Sequence, residues 1–85
     1  MGWQVRFIPE EVESMTVSCN GVHALDWSSA EGDVTKNVPA QFANLPHVHF
    51  VAEGHPNGRN AHCQIFRDGQ FVHNMEFDNG EDFDS

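Results

Sequence analysis

Two stretches of alternating hydrophobic and polar residues, each divided by a two-residue turn sequence, dominate the pattern of this chain. Residues 61–77 turn at Asp68-Gly69, and an Asn-Gly pair at 20–21 divides residues 12–27. Both turn sequences favour the type I′ turn, because its two central residues need positive φ, which Asn, Asp and Gly adopt at low cost. The sequence therefore predicts two β-hairpins.

Regular pairing outward from the Asp68-Gly69 turn sorts the side chains of the second hairpin, because opposed residues share a face of the sheet. One face is predicted to carry Phe66, Phe71, Met75, His62, His73 and Gln64. The other is predicted to carry Ile65, Val72, Cys63 and Ala61. The same rule in the first hairpin pairs Cys19 with Val22, Val17 with Ala24 and Met15 with Asp26. Neither face of the second hairpin is purely polar, so we expect both to be covered.

The remaining segments add strands and very little helix. Residues 3–8 and 47–53 alternate as half-buried strands do, with a further short strand as an option at 33–35. Residues 39–45 begin with proline and predict one or two helical turns. The predicted fold is mainly all-β, a small antiparallel sheet, half-barrel or sandwich of about six strands. It has two type I′ hairpins, at most one short helix and no internal repeat.

The distribution of acidic residues predicts where the folded domain ends. The chain of 85 residues has a formal net charge of −9, from 13 acidic and 4 basic residues. We expect one small β domain at 1–77 and an acidic, flexible tail at 78–85, because the tail has a single apolar residue, Phe83. Trp27 and Phe50 are predicted to be buried in the core. Cys19 and Cys63 are predicted to be reduced, buried thiols.

The charge and the N-terminus restrict the function classes. Direct binding to nucleic acid is not expected, because such binding depends on Lys and Arg that neutralise phosphates. No apolar stretch approaches the ~18 residues of a membrane span, so no membrane association is expected. The first residues lack a basic region followed by an apolar run, so no signal peptide is predicted.

Six histidines raise the question of a metal. His47 and His49 are separated by one residue, so they share one face of a predicted strand, and zinc takes imidazole ligands. His62 and His73 share a face of the neighbouring hairpin. Exposed strand histidines commonly fill polar positions without a metal, so the prediction is no cofactor and no metal, with His47 and His49 as the candidates if one binds. The acidic tail ends too early for an EF-hand calcium loop.

No catalytic set is apparent, and the protein is predicted not to be an enzyme. A thiol enzyme would need a cysteine and a base within hydrogen-bond reach. Cys63 is the nominal nucleophile, but regular pairing places His62 and His73 on the face opposite to it. The glycines lie in turns and form no phosphate-binding loop.

The sequence instead favours an interface. An aromatic centre with polar neighbours is the composition of a protein interface with its rim. The predicted binding residues are Phe66, Phe71, His62, His73, Asp78, Glu81, Asp82 and Asp84. The expected partner is another protein, and a homo-oligomer is an alternative.

Residues 21–34 point to a source. The run GVHALDW at 21–27, followed by EGDV at 31–34, resembles a segment of small phage and prophage proteins that are often found with tail or tail-fibre genes. The resemblance implies a non-enzymatic protein-binding protein, such as a virion or tail-associated accessory, and assigns no functional residue. With this source, we expect the protein in a host cytoplasm or in a virion. The expected partner is then a phage structural protein or a host nucleic-acid-binding complex. The alternatives are an acidic phage-encoded inhibitor of a host defence system, of the anti-CRISPR or nucleic-acid-mimic type, and a small His-rich metal-binding protein.

Overall fold

Eight strands form two four-stranded antiparallel sheets in the computed structural model, which describes residues 2–9, 12–56, 62–76 and 81–85, with Glu81 described by its backbone alone. The strands are β1 (Trp3–Phe7), β2 (Ser14–Cys19), β3 (Val22–Ser28), β4 (Val34–Asn37), β5 (His49–His55), β6 (His62–Arg67), β7 (Gln70–Glu76) and β8 (Glu81–Asp84). The all-β prediction is confirmed. Beyond the six predicted strands, the option at 33–35 corresponds to β4, and β8 was not predicted.

The two sheets share one hydrophobic core. Sheet A has the strand order β4-β1-β6-β7 and sheet B has the order β3-β2-β5-β8. Aromatic contacts join the sheets. Trp3 meets Phe50 edge to face at 5.7 Å between ring centroids, and Phe7 stacks on Trp27 at 6.1 Å. The predicted burial of Trp27 and Phe50 is confirmed, since both side chains are buried in this core.

Both predicted turns are present with the backbone that type I′ requires. Asn20 and Gly21 have φ values of 52° and 81°, and Asp68 and Gly69 have values of 51° and 81°. The first pairs beside the turns are also as predicted: Cys19 pairs with Val22 and Phe66 with Phe71. Turn chemistry therefore predicted the local geometry of both hairpins.

The predicted register was wrong beyond the second pair of the Asp68-Gly69 hairpin. A β-bulge follows the pair of Phe66 and Phe71, so Ile65 pairs with His73 instead of Val72. The extra residue moves the rest of β7 by one position. Met75 and His73 consequently belong to the inner face with Ile65 and Cys63, while Val72 is 39% exposed at the bulge.

The first hairpin has the same irregularity at the same step. Val17 pairs with Leu25 instead of Ala24, and Met15 pairs with Trp27 instead of Asp26. The bulge brings the large apolar Trp27 to the core and leaves Asp26 in solvent. The core thus determines the register where the turn no longer does, because a slip of one residue would turn the apolar side chains of the strand away from the core.

The short helix closes one end of the sandwich. Helix α1 (Ala40–Ala43) follows Pro39, and the predicted helical turn within 39–45 is confirmed. Phe42 is buried, and Leu45 packs against the core. The Trp3 indole N–H donates to the Leu45 backbone oxygen at 3.3 Å, which ties this end to β1.

Strand β8 occupies part of the segment predicted to be a flexible acidic tail. Residues 78–80 lie outside the described part of the chain, but Glu81–Asp84 pairs with β5 along sheet B. Phe83 lies on the inner face opposite Phe50 and stacks on His73 at 5.0 Å. The prediction of flexibility is therefore wrong for residues 81–84, because the one apolar residue of the tail packs against the core.

The two halves of the chain, β1 to β4 and β5 to β8, have the same arrangement of strands, although the sequence showed no repeat. β1 pairs with β4 and with β6, and β5 pairs in the same way with β8 and with β2. The backbone N–H of Asp68 donates to Gly2 at 2.7 Å, and that of Asn20 donates to His49 at 2.8 Å. Each half contributes its bulged hairpin to the sheet of the other half, so the halves are interlocked.

Both cysteines are free and buried, as predicted. Burial raises the pKa of the Cys19 thiol, because the charged thiolate is disfavoured away from water. Among the described residues, no helix has the length and apolar character needed to cross a membrane.

Candidate protein-binding surfaces

An aromatic patch stands on the outer face of sheet A. Phe66 and Phe71 pair across β6 and β7, and their rings meet edge to face at 5.8 Å between centroids. Phe71 is 57% exposed, the largest value among the exposed large hydrophobic side chains of the described residues. Val72 follows it at the bulge. We use the name aromatic patch for Phe66, Phe71 and Val72.

A groove of about 420 Å³ borders this patch. It is lined by Gln4, Thr35, Phe66, Asp68 and Gly69. The Gly69 backbone N–H donates to the Gln4 side-chain oxygen at 3.1 Å, so the turn is fixed against β1. Phe66 belongs to both the groove and the aromatic patch, so the groove lies directly beside the apolar centre of this face.

Polar side chains surround the patch in a connected network. The Asn74 side-chain oxygen lies 2.9 Å from the His62 Nε2 and accepts from Gln64 at 3.3 Å. Arg6 pairs with Asp33 through two hydrogen bonds of 2.6 and 2.9 Å. The hydrogen bonds from Arg6 lower the pKa of the Asp33 carboxyl. An apolar centre with a polar rim matches the anatomy of a protein-binding surface.

The outer face of sheet B has a different character. Its four strands contain no lysine or arginine. The carboxylates that the register places on this side are Asp26, Glu53, Asp82 and Asp84. We call this surface the acidic face. The described part of the chain has three Lys and Arg residues, none of them in a strand of this sheet. Arg6 pairs with Asp33, and Arg67 lies over the Trp3 ring. Lys36 pairs with Glu31 and donates to the Asp26 backbone oxygen at the edge of the acidic face.

Each histidine on the acidic face lies beside a carboxylate. The His Nε2 to carboxylate oxygen distance is 3.0 Å for His23 with Asp26, 3.0 Å for His49 with Asp82 and 3.8 Å for His55 with Glu53. The hydrogen bond to Asp82 raises the pKa of His49, and the nearby Asp84 charge acts in the same direction. Protonation of these imidazoles would reduce the negative charge of the face.

The structure separates the binding residues that the sequence grouped together. Phe66, Phe71 and His62 share the outer face of sheet A as predicted. His73 was placed there wrongly, because the bulge turns it inward against Phe83. Asp82 and Asp84 belong to the other sheet. Asp78 and the side chain of Glu81 lie outside the described part of the chain.

The histidines that the sequence offered as metal candidates do not form one group. His47 precedes β5, whereas the prediction placed it in a strand, and His62 and His73 lie on different faces of sheet A. Within the described residues, the one group of three metal-capable side chains combines His49 with Asp82 and Asp84. Sequence spacing identified His49 but gave no reason to join it to the C-terminal acids, because that proximity depends on β8.

Cys63 lies on the face opposite to only one of the two histidines that were predicted to be separated from it. His62 is on the opposite face, but the bulge brings His73 to the inner face that also carries Cys63. The Cys63 thiol is fully buried, 3.9 Å from the Met75 sulfur.

Several residues of the two surfaces were not recognised in the sequence. Gln4, Asn74 and Thr35 border the aromatic patch, and Asp26 and Glu53 belong to the acidic face. Their positions depend on which strands are neighbours, and hydrophobic alternation does not contain that information. The alternation in β1 does identify Gln4 as outward-facing.

No family model matches this chain, and comparison with curated proteins and with solved structures finds no significant match.

Proposed function

We propose that this protein is a non-enzymatic, protein-binding domain that contacts its partner through the aromatic patch. The observation that carries the proposal is the exposure of Phe71, 57% of whose surface is in contact with solvent beside Phe66. A large exposed aromatic residue with a polar rim is typical of a binding hot spot. The phage or prophage origin and the tail-associated role are part of the proposal, and they rest on the resemblance of residues 21–34.

The position of the patch supports a protein partner. β7 is an edge strand of sheet A and contains no lysine or proline, the residues that commonly protect an edge from pairing. A partner can therefore contact Phe71 and Val72 while its backbone approaches the edge of β7 that pairs with no other strand in the described part of the chain. A second copy of the chain is the simplest partner of this kind, and a phage or host protein is the other.

The experiment compares two substitutions that add the same charge. Phe71→Asp removes the exposed ring, and Val22→Asp is the matched control, because Val22 is 49% exposed on the other hairpin. Self-association is measured by light scattering. A captured partner is identified by mass spectrometry, purified and titrated against both variants. We expect Phe71→Asp to weaken binding about 30-fold or more, as the loss of a hot spot of ~2 kcal/mol would.

Circular dichroism and thermal unfolding show whether each variant is folded. Equal affinity for Phe71→Asp and the unmodified protein would contradict the proposal. Equal loss with Val22→Asp would also contradict it, because the effect would then reflect added charge and not the patch.

A second candidate function is inhibition of a host nucleic-acid-binding complex through the acidic face. The supporting observation is that the strands of sheet B contain four outward carboxylates and no lysine or arginine, which gives a negative surface that suits a basic channel. Here the double variant Asp26→Asn and Glu53→Gln should weaken binding, and added salt should weaken it further. Phe71→Asp should leave this binding unchanged, which separates the two candidates.

A further inference from the structure

Three side chains with metal-ligating atoms meet at one corner of the acidic face. The ligand atoms of His49, Asp82 and Asp84 all lie within 4.8 Å of one another. Within the group, His49 Nε2 and Asp82 Oδ2 are 3.0 Å apart. Each side chain is at least partly open to solvent, so an ion and its water ligands have access.

The pairing of β5 with β8 creates this group. His49 pairs directly with Asp84, and Asp82 pairs with Val51. Because residues two apart on a strand point to the same side, the three side chains project from one face. The ligands therefore come from two hydrogen-bonded strands and not from a loop.

The backbone beneath the group is held on two sides. The His49 N–H donates to the Asn20 side-chain oxygen at 2.8 Å, and the His49 carbonyl accepts from the Asn20 N–H at 2.8 Å. Ser85 donates its N–H to the Val48 carbonyl at 3.1 Å, and its hydroxyl accepts from the Val48 N–H at 2.9 Å. Fixed backbone reduces the entropy that ligands lose on binding a metal.

The donor set selects a class of ion. One imidazole nitrogen with two carboxylate oxygens suits zinc and related divalent transition metals, whereas calcium and magnesium take oxygen ligands. Three protein ligands leave a position for water. The strands of sheet B contain no lysine or arginine, so no side chain of either type in that sheet competes with a metal ion for the two carboxylates.

The internal repeat shows that the fold alone does not require these ligands. By the strand pairing, the positions in sheet A that correspond to His49, Asp82 and Asp84 are Gly2, Asn37 and Pro39. None of these three has an ionisable side chain. The repeated backbone is therefore compatible with both sets of residues, and the ligand set is a property of this corner of sheet B.

From this geometry we propose that His49, Asp82 and Asp84 bind one divalent transition-metal ion of the zinc class, which links β8 to β5. The binding is independent of the aromatic patch. Since a metal would partly neutralise the acidic face, it would also change the charge that this surface presents to a partner.

The test is calorimetric titration of the full chain with zinc chloride near pH 7.5, in a buffer that does not bind zinc. We expect one ion per chain at the tightest site. His49→Ala and Asp84→Asn should each weaken that binding at least about tenfold, because changes to groups that only support a ligand already cost 10–100-fold. His23→Ala is the matched control, since His23 also lies 3.0 Å from a carboxylate, that of Asp26, on the same sheet. It should bind zinc like the unmodified protein.

Backbone amide NMR of the unmodified protein locates the ion without any substitution. Zinc should shift the signals of His49, Asp82 and Asp84 at one equivalent. The proposal is wrong if zinc shifts other regions first, if no stoichiometric binding occurs, or if His49→Ala and the control lose affinity equally. If a variant fails to fold, the NMR titration of the unmodified protein decides whether zinc binds at this group.

Discussion

The two tight turns depend on residues whose backbone occupies the left-handed region. Asn20 and Asp68 have positive φ without being glycine, and a glycine follows each. Short polar side chains and glycine tolerate this region, while β-branched residues are strained there. At this scale the sequence is directly informative, because the requirement lies within two consecutive residues.

Replacement of Gly69 tests this requirement. Nothing lies within 4 Å of a Cβ placed at Gly69, so the Cβ of Gly69→Val has room and the substitution tests the positive φ of 81°. We expect the free energy of unfolding to fall by about 1–2 kcal/mol. Urea denaturation measures it. Gln70→Val is the control, because it introduces the same side chain at an exposed strand position. If both variants are equally stable, the turn is not under this constraint.

The Arg6–Asp33 pair gives a pH dependence whose sign follows from its pKa. The hydrogen bonds from Arg6 hold the pKa of the Asp33 carboxyl below its ordinary value of 3.8. A lowered pKa in the folded state means that the pair stabilises the fold above the unfolded pKa and that this contribution is lost as pH falls through the folded value. We expect the Asp33 carboxyl to titrate below 3.8 by NMR. Arg6→Gln should move the midpoint upward, and an unchanged midpoint would contradict the pairing.

At the scale of elements, the core overrides the simple rule of alternation. Both hairpins have a bulge one step after the first two pairs, and both bulges bring a large apolar residue inward, Trp27 in one and Met75 in the other. Regular pairing would have placed Asp26 and His62 opposite Met15 and Met75. The turn determines where pairing begins, whereas contacts with the second sheet determine which side chains of each strand point into the core.

Strand β8 provides the test at this scale. Phe83 pairs with Phe50, stacks on His73 at 5.0 Å and lies 6.4 Å from the Trp3 ring. Because Phe83 is partly buried, Phe83→Ala should cost about 1.5–3 kcal/mol, less than the 3–5 kcal/mol of a fully buried ring. Thermal and urea unfolding in chelator measure the loss.

The control for this prediction is Asp84→Ala, whose exposed side chain points away from the core. It should change stability by less than about 0.5 kcal/mol. A Phe83→Ala variant as stable as the unmodified protein would restore the flexible-tail interpretation of residues 81–85.

The whole molecule is defined by the exchange of hairpins between its halves. Sheet A combines β1 and β4 with the hairpin of the second half, and sheet B combines β5 and β8 with the hairpin of the first. Neither half contains a complete sheet, so neither can bury its hydrophobic residues alone. Folding should therefore require both halves together.

This arrangement predicts fragment complementation. Residues 1–45 and 46–85, made as separate peptides, should each lack tertiary structure, and an equimolar mixture should recover the native spectrum. Near-ultraviolet circular dichroism of Trp3 and Trp27, with amide NMR, measures recovery. A first fragment that folds by itself would contradict the interlocked arrangement. Failure of the mixture to fold would contradict it as well, provided that both peptides remain soluble.

The candidate surfaces were accessible from the sequence only in part. The pairing of Phe66 with Phe71 follows directly from the Asp68-Gly69 turn, so the centre of the aromatic patch was predicted. Its groove was not, because Gln4 and Thr35 come from strands whose neighbours cannot be derived from alternation. The corner formed by His49, Asp82 and Asp84 joins residues more than thirty positions apart and exists only through the pairing of β5 with β8.

The sequence by itself determined the properties that depend on neighbouring residues. These are the all-β class, the two type I′ turns, the first pairs beside them, the helical turn and the acidic charge. Each follows from backbone preference, alternation or composition within a few positions.

Only the tertiary structure decided the bulges, the strand β8, the exchange of hairpins and the opposite characters of the two outer faces. The physical reason is that these features depend on which apolar side chains reach the shared core. A strand can shift its register by one residue to bury Trp27 or Met75, and a single phenylalanine can order the acidic segment at 81–84 when a partner strand and an aromatic core lie beside it. The stabilising contacts form between segments that are distant in the sequence, so the local pattern of residues does not predict them.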